Sequence, residues 1–170
     1  MKRLGLRFAC ALLLVSTVSV TKPLHAQLGH QEWGQSGAWK ILIDTSGGGG
    51  CYMENVLEDQ TLVQFGIAPD RNGGFFAAYN ANWTHLEDGH VGRLLFDFGP
   101  SLFGGEYIGT RQHGLPGGYA FFNNPEFVKE FGKRNEVSVT DETGGTLDFK
   151  LTGTMKAINA VRNCDAEQAQ

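Results

Sequence analysis

The chain has 170 residues, of which 41% are hydrophobic and 19% are charged, and its formal net charge is −4. This length suits one ordinary domain with a real core. Because no run of Lys or Arg occurs, the sequence argues against nucleic-acid binding through phosphate contacts and against adsorption to an anionic membrane.

The first 26 residues have the pattern of a secretory signal peptide. Three basic residues precede an apolar run over 8–20, and a cleavage site follows at Ala26. The run is shorter than the roughly 20 residues that span a bilayer. We therefore expect cleavage near Ala26, a periplasmic or secreted location, and no integral membrane protein after cleavage.

Removal of residues 1–26 leaves 10 basic and 18 acidic residues, a net charge of −8. It also leaves two cysteines, Cys51 and Cys164, which permit one intramolecular disulfide in an oxidising compartment. The alternative is a pair of free thiols. Since nothing nearby in the sequence would activate either thiol as a nucleophile, we predict the disulfide.

In chain order, residues 27–37 are polar and Gly-rich and predict a loose lead-in. A single β-rich domain over 38–165 follows, and its first strand shows alternating apolar residues from Trp39 to Ile43. Each further strand is bounded by Gly, Asn, Asp or Pro, which favour turns. These strands are expected at 51–57, 61–67, 74–80, 91–98, 105–110, 117–122, 136–140 and 146–151.

Two short helices are also predicted. The first begins with Asn124 as its N-cap and Pro125 at its first position, and the second runs from about Thr154 to Asn163, before a polar tail over 166–170. With 24 glycines and 12 phenylalanines, the composition favours tight turns and an aromatic core. The expected fold is mainly β: an antiparallel β-sandwich or partly open barrel with one or two short helices and one disulfide.

Two segments resemble catalytic or cofactor motifs but lack a required residue. The four glycines over 47–50 are followed by Cys51 and Tyr52, where a phosphate-binding loop needs Lys and a hydroxyl residue. Asp44 follows an apolar strand as in aspartic proteases, but Ser46 stands where that loop needs Gly. We therefore predict no catalytic residue and no cofactor from these motifs.

His85, Asp88 and His90 lie close together around a predicted hairpin turn. Their spacing matches no standard zinc pattern, so a solvated turn is one interpretation and a weak metal site is the other. His113 could join them only if the fold allowed it.

The segment between 99 and 118 and its flanks carry polar and aromatic side chains among glycines. Loops on a rigid sheet are frequent binding sites, although such loops can equally be plain connections. The candidate binding residues are Glu106, Tyr107, Arg111, His113 and Tyr119.

The chain resembles small exported proteins of the invasion-associated locus B type. The resemblance lies in a Trp-containing first strand, a Cys shortly after it, and a closing segment over 147–158 with an apolar strand, a Gly-containing turn and a short helix carrying Ala157 and Ile158. It implies a periplasmic or surface-associated accessory protein without known catalytic residues, and a link to host-cell interaction is among the roles it implies.

Three functional hypotheses follow. The first is an exported, non-enzymatic accessory or binding protein of the bacterial envelope, whose partner is a protein or another envelope component. The second is a small periplasmic hydrolase or metal-dependent enzyme that uses His85, Asp88, His90 or His113. The third is a small-ligand carrier, which the aromatic-rich sheet suggests.

Overall fold

The computed structural model describes residues 30–46, 50–68 and 72–169. The predicted signal peptide and its cleavage site lie outside these ranges. Within them the chain forms ten strands and two helices. In chain order these are β1 (His30–Ser36), β2 (Trp39–Asp44), β3 (Cys51–Val56), β4 (Leu62–Ala68), β5 (Gly73–Tyr79), β6 (Val91–Asp97), β7 (Leu102–Gln112), β8 (Leu115–Phe122), α1 (Pro125–Lys133), β9 (Glu136–Asp141), β10 (Thr146–Lys150) and α2 (Thr154–Gln168).

The strands form one antiparallel sheet in the order β1-β2-β3-β4-β5-β8-β7-β6-β9-β10. The first five strands follow one another, whereas β5 pairs with β8 and the sheet then returns through β7 and β6. The predicted mainly β, antiparallel fold with two helices is confirmed. The sheet is open, with β1 at one end and β10 at the other.

The main core lies on the face of the sheet that the helices cover, which we call the inner face. A smaller buried cluster of Leu62, Ala77 and Tyr79 lies on the opposite face, since Ala77 and Tyr79 alternate along β5 with Phe76 and Ala78 of the main core.

Phe127 of α1 stacks on Phe122 with ring centroids 3.8 Å apart, and Phe131 stacks on Phe65 at 4.1 Å. All four rings are buried. Stacked and edge-on aromatic pairs of this kind add to the free energy gained from apolar burial.

Helix α1 begins as its sequence predicts. The side chain of Asn124 accepts a hydrogen bond from the Glu126 amide at 3.0 Å, and Pro125 occupies the first turn. The cap satisfies an amide that the helix itself cannot pair.

Helix α2 is joined to the sheet by the predicted disulfide, Cys51–Cys164, which is confirmed with a Cα–Cα distance of 6.0 Å. Next to it, Asp165 Oδ1 accepts a hydrogen bond from the Cys51 amide at 2.7 Å. Burial raises the pKa of Asp165 despite this bond. Covalent and polar contacts therefore place α2 against the start of β3.

The two ends of the domain are more ordered than predicted. Within the expected lead-in, residues 30–36 form β1 and pair with β2, with a register shift between Glu32 and Gly34. At the other end, α2 continues to Gln168 instead of giving way to a tail at 166. One contact links both ends: Trp33 Nε1 donates to Glu167 Oε2 at 2.7 Å.

Candidate functional site

A cavity of about 220 Å³ opens on the inner face near the β9–β10 turn. Its buried part is apolar and includes Phe76, Ala78 and Val139, while His85 and Thr143 lie at its exposed part. The complete lining is Phe76, Ala78, Trp83, His85, Leu86, Leu94, Tyr107, Gly118, Val139, Asp141, Thr143, Gly145, Thr146 and Leu147.

The segment between β5 and β6 contributes one wall of this cavity. Asn80 Oδ1 accepts from the Asn82 amide at 2.9 Å, and successive backbone bonds join Trp83 to Asn80 and Leu86 to Trp83. These tight turns place Trp83 and Leu86 in the lining.

The end of the same segment is held against β7 by Gly109. The Gly109 amide donates to His90 O at 2.7 Å, and the Gly89 amide donates to Gly109 O at 2.8 Å. A Cβ at position 109 would lie 2.2 Å from Glu87 O. Only glycine allows this close backbone approach.

Asp141 supplies a carboxylate to the cavity lining. Its Oδ1 accepts three hydrogen bonds, from the Thr143 amide at 2.8 Å, from Thr143 Oγ1 at 2.7 Å and from the Gly145 amide at 2.9 Å. Burial raises the pKa of Asp141, but these bonds and the charge of His85 outweigh burial and leave the pKa lowered. Asp141 is therefore ionised at neutral pH.

A second carboxylate, Glu142, lies beside the cavity and is already occupied. Its Oε2 accepts from the Arg93 amide at 2.7 Å, and its Oε1 lies 3.3 Å from His90 Nε2. The Arg93 bond is the main reason that the pKa of Glu142 is lowered. Burial, with Glu142 nearby, raises the pKa of Tyr107 in the cavity lining.

The histidines and the aspartate of the metal hypothesis face different partners. His85 lines the cavity near Asp141, and Arg111 Nε lies 3.4 Å from Asp88 Oδ1. His90 faces Glu142, as described above. Among the residues that the structure describes, no group of three or more His, Cys, Asp or Glu side chains could hold a metal ion.

The candidate binding residues of the 99–118 segment do not converge either. Most of the segment is strand, and alternation along β7 turns Tyr107 toward the cavity and Glu106 toward the opposite, outer face. Tyr119 also lies on the outer face, with its ring 5.6 Å from that of Phe121. At the tip of the hairpin, the ring of His113 lies 5.9 Å from that of His30.

The outer face carries a row of exposed apolar side chains, which we call the outer apolar strip. It consists of Val91 and Leu95 on β6, Leu102 and Ile108 on β7, and Phe121 on β8, with exposed fractions of 58%, 44%, 62%, 39% and 47%. Val91 is the cross-strand partner of Ile108, and Ile108 is that of Tyr119. Both helices pack on the inner face, so neither covers the strip.

Sequence reasoning missed the cavity and the strip. The run Asp141-Glu142-Thr143-Gly144-Gly145 has the signature of a turn organised by an Asp side chain, which could have identified Asp141. The sequence contains no signal that Trp83 would lie near that turn, because they are 58 positions apart.

No helix within the described ranges is both long enough and apolar enough to cross a membrane.

Comparison with known proteins finds a likeness in structure and none in sequence. The chain matches no protein-family model and no curated protein. It is similar to the crystal structure of invasion associated protein b from Bartonella henselae, with a TM-score of 0.53 and 15% sequence identity, over 83% of this chain and 99% of that chain. The resemblance to the invasion-associated locus B type is thus confirmed as a distant likeness of fold.

Proposed function

We propose that the chain is an exported, non-enzymatic accessory protein of the bacterial envelope that binds a protein partner through the outer apolar strip. The observation that carries this proposal is the strip itself, five large apolar side chains that are 39% to 62% exposed on one uncovered face. Exposed apolar side chains grouped on one face among polar residues typically mark an interaction site.

The polar residues within the strip favour a protein over a lipid surface. Arg93 and Glu106 are cross-strand partners between the apolar residues, and paired opposite charges beside apolar anchors are typical of protein interfaces. The net charge of −4 for the whole chain disfavours an anionic bilayer.

Two further observations support the envelope and host-interaction parts of the proposal. The Cys51–Cys164 disulfide suits an oxidising compartment outside the cytoplasm, in agreement with the signal peptide that the sequence predicts. The fold is similar to that of invasion associated protein b from Bartonella henselae, which supports a role in host interaction.

The test is a crosslinking pull-down of the oxidised full-length chain from envelopes of its own cells. We expect a specific partner that the double variant Val91→Asp/Leu102→Asp captures at least about tenfold less well, because two charges enter the apolar contact. Val56→Asp is the matched control, since Val56 is 55% exposed but lies on β3, away from the strip.

A partner retained by the double variant would place the interface elsewhere. If no partner exceeds background, or if Val56→Asp loses it equally, the outer apolar strip is not a protein-binding surface.

A further inference from the structure

We propose that the cavity on the inner face is a binding site for a small organic amine, with a compact apolar body inside and its ammonium group paired with Asp141. This goes beyond the proposed function, since the outer apolar strip lies on the other face of the sheet. The size of the cavity, its lining and the hydrogen bonding of Asp141 support this assignment.

The size of the cavity sets the size of the ligand. An apolar cavity of about 150 Å³ accepts benzene, and drug-sized pockets begin near 300 Å³. At about 220 Å³, this cavity has room for one ring with a short chain. Larger amphiphiles, such as lipids, would not fit.

The lining selects an apolar body. Phe76, Leu94 and Val139 contribute hydrocarbon surface, and Trp83 and Tyr107 add aromatic rings. Removing apolar ligand surface from water against such a lining is favourable. Aromatic rings also attract ammonium groups when the cation lies over a ring face.

Asp141 selects a cation. All three of its hydrogen bonds fall on Oδ1, and no hydrogen bond from the described residues reaches Oδ2. The turn therefore holds the carboxylate in place while one oxygen is left for a donor from outside. A charge-assisted bond from an ammonium would satisfy it.

A second carboxylate beside this end of the cavity also favours a cation. Glu142 adds a second negative charge, held by the Arg93 amide and facing His90. His85 also lies in the lining, near Asp141. We therefore expect binding at neutral pH, where Asp141 is ionised, and its loss in strong acid, where Asp141 becomes neutral.

The first measurement is isothermal titration of the oxidised full-length chain with phenethylamine and with its neutral analogue 2-phenylethanol. We expect phenethylamine to bind at least about tenfold more tightly, since only the amine forms the ion pair. This comparison needs no variant. Equal affinities would overturn the assignment of a cation site, and no binding of either compound would overturn the cavity as a ligand site.

The second measurement uses Asp141→Asn, which keeps an acceptor oxygen for the turn but removes the charge. We expect phenethylamine affinity to fall at least about tenfold while 2-phenylethanol affinity is unchanged. Asp97→Asn is the matched control, because Asp97 Oδ1 accepts from the Gly99 amide in a similar turn and does not line the cavity.

A third variant, Ala78→Leu, places side-chain volume inside the cavity and should weaken binding of both compounds. The melting temperature of each variant shows whether it is folded. Unchanged phenethylamine affinity in folded Asp141→Asn, or in folded Ala78→Leu, contradicts the proposal.

Discussion

Several short acidic side chains organise turns in this protein through the same local bond. Asp44, Asp59, Asp97 and Asp141 each accept a hydrogen bond from the backbone amide two residues later. This pattern involves only three consecutive residues. Turns of this kind can therefore be located from the sequence. What the Asp141 turn adds, a carboxylate in a cavity, depends on contacts that no local pattern contains.

Tyr79 gives a pH-dependence prediction. Burial, with a smaller effect from Tyr119, raises the pKa of Tyr79 to about 12 from 10.0. The folded state therefore favours the neutral phenol. The contribution of this preference to the free energy of unfolding is fully present below pH 10 and is lost as the pH rises toward 12. We expect wild type to lose about 1 kcal/mol more than Tyr79→Phe by pH 11.

Urea unfolding of both proteins near pH 8 and about pH 11 measures this difference. Equal losses in the two proteins would show that Tyr79 is not the group responsible.

Glu130 gives a prediction for the acid range. It is a buried residue whose Oε2 accepts from Arg134 Nε at 2.5 Å and from Ser101 Oγ at 3.2 Å. The Arg134 bond is the main reason that its pKa is lowered from 4.5. Glu130→Gln should therefore lower the melting temperature at pH 7. The difference from wild type should shrink as the pH falls below 4.5 and vanish once the pH has fallen through the lowered pKa of Glu130.

Thermal melts of wild type and Glu130→Gln across this range provide the check. If the difference in melting temperature stays constant down to low pH, the substitution destabilises the protein by changing packing and not by removing the charge of Glu130.

At the scale of elements, the centre of the sheet depends on a close approach of β5 to β8. A Cβ at Gly117 would lie 2.1 Å from Ala78 O, which is backbone. We expect Gly117→Ala to destabilise the chain by about 1–3 kcal/mol, because β8 must move away from β5 or twist. Chemical denaturation measures the change.

Gly104→Ala is the matched control for that substitution. Gly104 also lies in a central strand, β7, but its Cβ would meet only Leu94 O at 4.0 Å. It should be neutral or slightly stabilising. If both variants lose the same free energy of unfolding, the loss comes from replacing a strand glycine in general and not from the close approach of β5 to β8.

The elements that sequence predicted well are those with strong local patterns. The hairpin expected at 51–57 and 61–67 is β3 and β4, and α1 begins at its predicted cap. β1 was missed because His30–Ser36 is mostly polar. It occupies an end of the sheet, where backbone pairing with β2 holds it and no apolar alternation is needed.

At the scale of the whole molecule, the disulfide joins residues 113 positions apart. In the chain-entropy model, closing such a loop stabilises the fold by about 4–5 kcal/mol, through restriction of the unfolded chain. We expect Cys51→Ala/Cys164→Ala to lower the free energy of unfolding by about this amount, which urea unfolding measures as a lower midpoint. Reduction of the wild type should produce a similar loss, while an unchanged midpoint would show that the disulfide does not stabilise the fold.

The sequence by itself determined the properties that depend on neighbouring residues. These are the turns, the cap of α1, the alternation of most strands and the presence of two cysteines that could pair. Each is specified within a few positions by backbone sterics, local hydrogen bonds or side-chain period, so it can be recognised before the fold is known.

Only the tertiary structure decided which distant residues meet. The return of the chain from β5 to β8 and the pairing of β6 with β9 bring Asp141 and Trp83 into one cavity, and leave the outer apolar strip uncovered. Many strand orders satisfy the same local patterns, and the choice among them depends on burial and packing summed over the whole sheet. For that reason the mainly β class was predictable, whereas the cavity and the strip were not.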